Sequence, residues 1–215
     1  MIEALAPARF SQRQWHMRAL GVNEQVQLLT QRLCLRRLRP EDAVAMSAYR
    51  GLPQVARYQS WETFGLADAA QLIADQQTVK PATPGSWLQL MIVLAESGQP
   101  IGDCGIHFLS NASQQVEIGI TLDPRYQNRG LACEALRGVL GYVFDTLNMQ
   151  RVSATTDAEN TAAQKLFRRL GFRQEAHFVE NIWFKGAWGS EYVFAMLQRE
   201  WQSRPISGRS TPDVS

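Results

Sequence analysis

From Leu28 onward the apolar positions of this chain recur with two periods, and the switches between them divide it into elements. Arg32-Leu33-Cys34-Leu35-Arg36-Arg37-Leu38 alternates apolar with basic residues, the pattern of a strand with one buried face. Arg39-Pro40-Glu41-Asp42 opens a helix that runs to about Tyr49, with proline in the first turn and acids at the positive end of the dipole. A second helix is expected over Leu66–Thr78, with Leu66, Ala69, Leu72 and Ile73 on one side. Leu88–Leu94, Ile101–Leu109 and Val116–Leu122 then read as three strands of an antiparallel meander, separated by Ser97-Gly98-Gln99-Pro100 and Asn111-Ala112-Ser113. Over Gly130–Leu147 the residues Ala132, Leu136, Val139, Leu140, Val143 and Leu147 keep helical spacing. Arg151–Thr155 is a short strand, and Asn160–Leu170 is a helix capped by Asn160 and closed by Gly171. Phe172–Trp183 and Glu191–Leu197 form a last pair of strands joined through Lys185-Gly186.

This order predicts an α/β (α+β) fold: a single mixed, mostly antiparallel sheet with helices on both faces. Gln12–Leu29 carries only a weak helical period, and residues 1–27 are read as an N-terminal extension. The folded domain is expected to span residues 28–201, and the Ser-, Pro-, Gly- and Arg-rich residues 202–215 to be a disordered tail.

Composition narrows the class. The chain has 215 residues, 45% of them hydrophobic, enough to bury a full core. Its 22 basic and 20 acidic residues leave a net charge of +2, with no basic stripe of the kind that nucleic acid requires. No apolar run approaches the roughly 18 residues of a membrane span, and Met1–Phe10 does not have the pattern of a secretory signal. Cys34, Cys104 and Cys133 are odd in number and show neither disulfide nor metal-ligand spacing. They read as buried reduced thiols of a cytoplasmic protein that binds no metal, nucleic acid or membrane.

The sharpest local signal is Leu122-Asp123-Pro124-Arg125-Tyr126-Gln127-Asn128-Arg129-Gly130-Leu131-Ala132, where a strand stops, a short loop follows and a long helix starts. The first amides of a helix lack internal partners and, with the dipole, form an anion site suited to a pyrophosphate. Gly130 and Ala132 leave room for phosphate to approach the backbone, while Gln127 and Arg129 add donors and charge. The loop is neither a P-loop nor a dinucleotide fingerprint, because both glycine patterns are missing.

Gln127-Asn128-Arg129-Gly130-Leu131-Ala132 resembles the Q/R-x-x-G-x-G/A motif of the GNAT superfamily of N-acetyltransferases. Glu117 to Pro124 resembles the strand before that motif. Asn160, Leu166 and Leu170-Gly171-Phe172 resemble the segment after it, and Leu33 to Ala43 resembles the first strand and helix. Lys185-Gly186 and Leu197-Gln198-Arg199-Glu200-Trp201 resemble the RimJ/RimL branch, the ribosomal-protein N-terminal acetyltransferases. The resemblance covers about residues 30–201 and implies an acyl-CoA N-acyltransferase fold using acetyl-CoA as co-substrate. It implies pyrophosphate on the amides of Gln127, Asn128, Arg129, Gly130, Leu131 and Ala132. The pantetheine arm would lie along Ile120 to Leu122 and meet Asn160, with Phe167 bordering the thioester, between strands 116–122 and 151–155 splayed apart.

The reaction this implies is direct attack of a primary amine, of a protein N-terminus or a small molecule, on the thioester. The tetrahedral oxyanion needs a donor, such as a backbone N–H near Leu122. Glu117 is the candidate base; the alternative is a glutamate that only solvates its strand. Many relatives place a tyrosine seven positions after the asparagine as general acid; this chain has Phe167 there, which leaves Tyr126, Tyr192 or water as the proton's source, or departure as the thiolate, which a thiol of pKa near 8.5 tolerates. His107 is a candidate acceptor contact or a half-buried structural histidine, and Trp61 is a candidate acceptor contact among aromatic residues that otherwise build cores. An α-amine, pKa about 8, is neutral far more often at pH 7.5 than a lysine, pKa about 10.4, and so asks less of the base. Because Phe167 removes the usual acid, a non-catalytic acyl-CoA-binding sensor is the alternative function. A homodimer is expected from resemblance alone.

Overall fold

The computed structural model describes residues 26–204. Its strands are β1 (Gln27–Leu29), β2 (Leu33–Arg37), β3 (Trp87–Leu94), β4 (Pro100–Phe108), β5 (Gln115–Leu122), β6 (Arg151–Asp157), β7 (Arg173–Phe184) and β8 (Ala187–Leu197). They form one sheet in the order β1-β2-β3-β4-β5-β6-β8-β7. Every pairing is antiparallel except β5 with β6. A parallel pair needs a crossover, and the long helix between those strands supplies it.

The helices are α1 (Ala43–Arg50), α2 (Pro53–Ala56), α3 (Leu66–Gln76), α4 (Leu131–Gly141), α5 (Thr161–Leu170) and α6 (Gln198–Gln202). They cover both faces of the sheet, as the sequence predicts. On one face Leu33, Leu35, Leu90, Ile106, Val116 and Ile118 pack with Leu136, Val139 and Leu140 of α4 and Phe167 and Leu170 of α5. On the other, Cys34, Met91 and Val93 pack with Met46 and Tyr49 of α1 and Ala69 and Ile73 of α3.

Several boundaries differ from the sequence reading, for identifiable reasons. The first strand of the sheet begins at Gln27, inside the segment read as an extension and as weakly helical, because it pairs with β2; residues 1–25 lie outside the described residues. β2 is buried on both faces, since Cys34 packs under α1 and α3 while Leu33 and Leu35 pack under α4. The helix expected over 130–147 starts at Leu131 and changes to a π turn, Tyr142–Thr146, closed by Leu147 N–H to the Tyr142 carbonyl at 3.0 Å. The wider turn lets Tyr142, Val143 and Phe144 all reach the core. β8 starts at Ala187 rather than Glu191, because Lys185 (φ 49) and Gly186 (φ 82) make a two-residue hairpin turn with both residues left-handed. At the other end α6 includes Gln202, and Arg204 donates to the carbonyls of Leu170 and, at 2.8 Å, Gly171. The ordered chain therefore runs past the tail boundary read at 202, and residues 205–215 lie outside the described residues.

Candidate active site

β5 and β6 pair only through Gln115–Arg151, Val116–Val152 and Glu117–Ser153. Beyond Glu117 they separate, so the edge of β5 that faces β6 has no strand partner along the rest of its length. α4 begins beyond the end of β5, α5 follows β6, and the gap between the two strands opens into a cleft of about 700 Å³. Ile120, Leu122, Leu131, Ala132, Asn160 and Leu166 line it, together with Gln127, Asn128 and Gly130 of the loop.

That loop is held from several sides. Asp123 is buried and accepts from the Arg125 backbone N–H at 2.9 Å and from its guanidinium. The hydrogen bonds from Arg125, outweighing burial, hold the Asp123 carboxyl below its usual range. The Gln127 side-chain amide donates to the Leu122 carbonyl at 3.0 Å, tying the loop back to the end of β5. Asn128 (φ 59) and Gly130 (φ 76) are both left-handed, which any residue with a β-carbon other than asparagine or aspartate adopts at a cost. Arg32 donates to the Arg129 carbonyl at 3.2 Å and pairs with Glu134 at 2.6 Å, and Thr30 donates to Glu134 at 2.6 Å. The first helical amide bonded within α4 is that of Glu134, to the Gly130 carbonyl at 3.1 Å. The amides of Leu131, Ala132 and Cys133 therefore have no intrahelical acceptor and stand beside the cleft as donors for an anion. The pinning by Arg32 and Thr30, a hundred positions away, had no local signal in the sequence.

The cleft has walls from both faces of the sheet. Asp103 on β4 bonds Tyr49 and Arg50 of α1, which fixes the α1 face, and Thr121 opposite Asp103 in the ladder shares that face. Thr121 lines the cleft, as do Gln54, Val55, Tyr58 and Gln59 of α2 and the residues after it, whereas Ile120, Leu122 and α5 belong to the α4 face. The cleft thus passes through the sheet where β5 and β6 part. The α2 segment is strapped in place by Lys185, whose Nζ donates to the carbonyls of Ala56 at 2.6 Å and Trp61 at 2.7 Å, and by Arg57, which pairs with Glu159 at 3.0 Å.

The remaining sequence candidates fall outside the cleft lining. Glu117 is half-buried on the α1 face at the last paired position, facing His107 across one ladder and Ser153 across the other. It has no ion-pair partner among the described residues. His107 stacks on Trp87, with centroids 4.6 Å apart and planes 7° from parallel. Trp61 donates from Nε1 to the Arg50 carbonyl at 3.1 Å and lies against the Arg50 guanidinium, 4.5 Å from its ring centre. Phe167 is a core residue, tilted against Phe172 and stacked on Phe194, and is not among the residues that line the cleft. Arg129 is exposed, its guanidinium 5.6 Å from the Tyr126 ring centre. Lys165, Arg169 and Cys133 line the cleft, and the sequence reading missed all three. Positions 162, 165, 166 and 169 share one side of α5, so the helical period running on from Asn160 was the signal that could have found the two cations.

Comparisons with known proteins bear on the family and the fold. The model of the acetyltransferase (GNAT) domain family matches residues 32–173. An uncharacterized N-acetyltransferase, p20, of Bacillus licheniformis is 30% identical over 178 residues, covering 81% of this chain and 97% of that protein. A GNAT-family acetyltransferase from Bacillus anthracis superposes with a TM-score of 0.74 at 25% identity, over 81% of this chain and all of that one (100%). The spermidine N-acetyltransferase from Vibrio cholerae, solved with CoA and spermine, superposes with a TM-score of 0.70 at 20% identity, over 80% and 99% of the two chains. At that identity the likeness is one of fold.

Proposed function

This chain belongs to the GNAT acetyltransferase family, whose members transfer acetyl groups from acetyl-CoA to amines, and we propose that it acetylates a primary amine that reaches the thioester from the α1 face of the sheet. The observation that carries this reading is the cleft that passes through the sheet between β5 and β6.

On the α4 face, the free amides of Leu131, Ala132 and Cys133 donate to the pyrophosphate, with Gln127, Asn128, Arg129 and Gly130 around it. The unpaired edge of β5 at Ile120 to Leu122 takes the pantetheine arm as an added strand, and Asn160 flanks it. The Asn160 side-chain oxygen accepts from the Ala163 N–H at 3.1 Å, capping α5, so it is the Asn160 amide group that remains for the arm. A backbone N–H of β5 on the same free edge polarises the thioester carbonyl.

On the α1 face, Glu117 takes the proton from the acceptor's ammonium, directly or through one water, and the neutral amine so formed attacks the thioester carbonyl. A carboxylate with no ion-pair partner among the described residues, at the point where the cleft opens, is suited to that role. The thiolate leaves without a proton from position 167, because Phe167 is packed into the core; a thiol of pKa near 8.5 tolerates that. The acceptor is a small-molecule amine or a protein N-terminus.

Glu117→Gln tests the proposal. Acetyl-CoA affinity, measured by calorimetry, is expected to stay within twofold, while thiol release with an active amine falls by roughly 10²–10⁴-fold. Unchanged turnover would remove Glu117 from the mechanism. Tight acetyl-CoA binding with no acceptor turned over by the native protein would favour a binding module, the reading that Phe167 keeps open.

A further inference from the structure

Strand glycines weaken a sheet, and each calls for a reason. Two of the four in the described strands have a steric one within the fold, and a β-carbon at a third, Gly189 beside the hairpin turn, makes an ordinary contact. A β-carbon at Gly102 would overlap the Thr121 carbonyl. At Gly105 it would sit 2.9 Å from the Gln89 amide oxygen and 3.0 Å from the Trp87 ring, and at Gly189 3.4 Å from Ile182. Gly119 has none: its φ is outside the left-handed range, and a β-carbon there meets nothing within 4 Å. The fold itself leaves room for a β-carbon at this position.

What surrounds Gly119 supplies the reason. It lies on the α1 face of β5, between Glu117, the last residue paired with β6, and Thr121, which lines the cleft. Its ladder partner is Gly105, over which the half-exposed Trp87 ring lies, stacked on His107. Gly119 therefore leaves open space next along the face from Thr121 of the cleft wall, with Glu117 on its other side and the Trp87 ring over its ladder partner.

Resting on the acceptor approach proposed above, we infer that Gly119 sets the acceptor's size: its missing side chain leaves room for a substituent on the carbon that bears the reacting amine, so that the acceptor class is amines on a substituted carbon, of the amino-acid or peptide N-terminal kind.

Gly119→Ala and Gly119→Val test this, with glycinamide and leucinamide as probes. Both are α-amines of similar basicity, and they differ in the branch beside the nitrogen. The native enzyme is expected to acetylate both. Valine at 119 lowers kcat/KM for leucinamide at least tenfold more than for glycinamide, alanine gives an intermediate loss, and the Kd of acetyl-CoA stays constant. Because a β-carbon at 119 meets nothing within 4 Å and strand glycines weaken a sheet, the alanine variant is expected to hold at least the native Tm, and it covers the case in which the γ-carbons of valine disturb the strand. Equal losses for both probes, or no loss for either, would overturn the size role. Failure of the native enzyme to use either amide would overturn the substrate class. Loss of acetyl-CoA binding by the native protein is a different failure, that of the acyl-transfer reading itself.

Discussion

Asp103 is the perturbation whose cost the structure fixes best. Its carboxylate, 1% exposed, accepts from the Tyr49 hydroxyl at 2.6 Å, from Arg50 Nε at 3.1 Å and Nη2, and from the Gln89 amide. Burial opposes charge on Arg50, but the Asp103 charge and hydrogen bonds outweigh it and hold the guanidinium above its ordinary pKa. Burial, helped by Asp103, pushes the Tyr49 phenol well above its own, so it remains a donor at any ordinary pH. Asp103→Ala leaves a guanidinium whose side chain is only 7% exposed without a counter-charge. Breaking one side of such a pair costs about 3–5 kcal/mol, which for a domain of this size lowers Tm by about 10 °C. Because Arg50 also carries Trp61 and Phe64, 4.5 and 4.9 Å from their ring centres, the α2 side of the cleft loosens with it. Urea unfolding and calorimetry of Asp103→Ala, and of the double variant Arg50→Met/Asp103→Leu, are the assays. The double variant is expected to recover most of the loss, since apolar replacement of a buried pair is nearly neutral. A cost below about 1 kcal/mol for Asp103→Ala, well under the range for a broken buried pair, or a double variant no more stable than the single one, would refute the reasoning.

Other expectations follow from single sites. Lys165 and Arg169 put two cations one helical turn apart on the cleft wall and pair with no carboxylate among the described residues. Replacing both with Gln should weaken CoA more than dephospho-CoA, roughly tenfold against twofold, with a shallower salt dependence for CoA (a phosphate contact loses about 1.4 kcal/mol per tenfold). Cys133 is the one thiol on the cleft wall; its slow alkylation should be blocked by acetyl-CoA, while labelling of Cys34 and Cys104 is indifferent to it, as mass spectrometry of the labelled peptides would read. Glu175 is held down to about 2, first by hydrogen bonds from Arg151, against burial, and then by Arg173. With the folded pKa below the unfolded value, its contribution is present above about pH 4.5 and is lost as pH falls toward 2. Solvent screening of this surface group limits it to about 1 kcal/mol, so Glu175→Gln should lower the urea midpoint at pH 6 and leave it unchanged at pH 2.

Patterning along the chain determined the kinds of element and their order, because burial imposes a period of two on a strand and about 3.6 on a helix whatever the partner is. It also determined the loop from Asp123 to Ala132, which carries its own signals in proline, asparagine and glycine at fixed positions, and the cap at Asn160, which is a local bond. Tertiary structure decided what depends on a second segment. β1 is a strand only because β2 lies beside it, and Phe167, seven positions from Asn160 in a motif-like place, turns into the core because Phe172 and Phe194 surround it. Trp61 is held by the Arg50 carbonyl and guanidinium, and His107 by the Trp87 ring, contacts that no local pattern encodes. The opening of the sheet itself is the last of these: the composition of β5 and β6 does not say where their pairing ends, and only the placement of α4, α5 and α2 around Glu117 and Gly119 turns that ending into a cleft with two mouths.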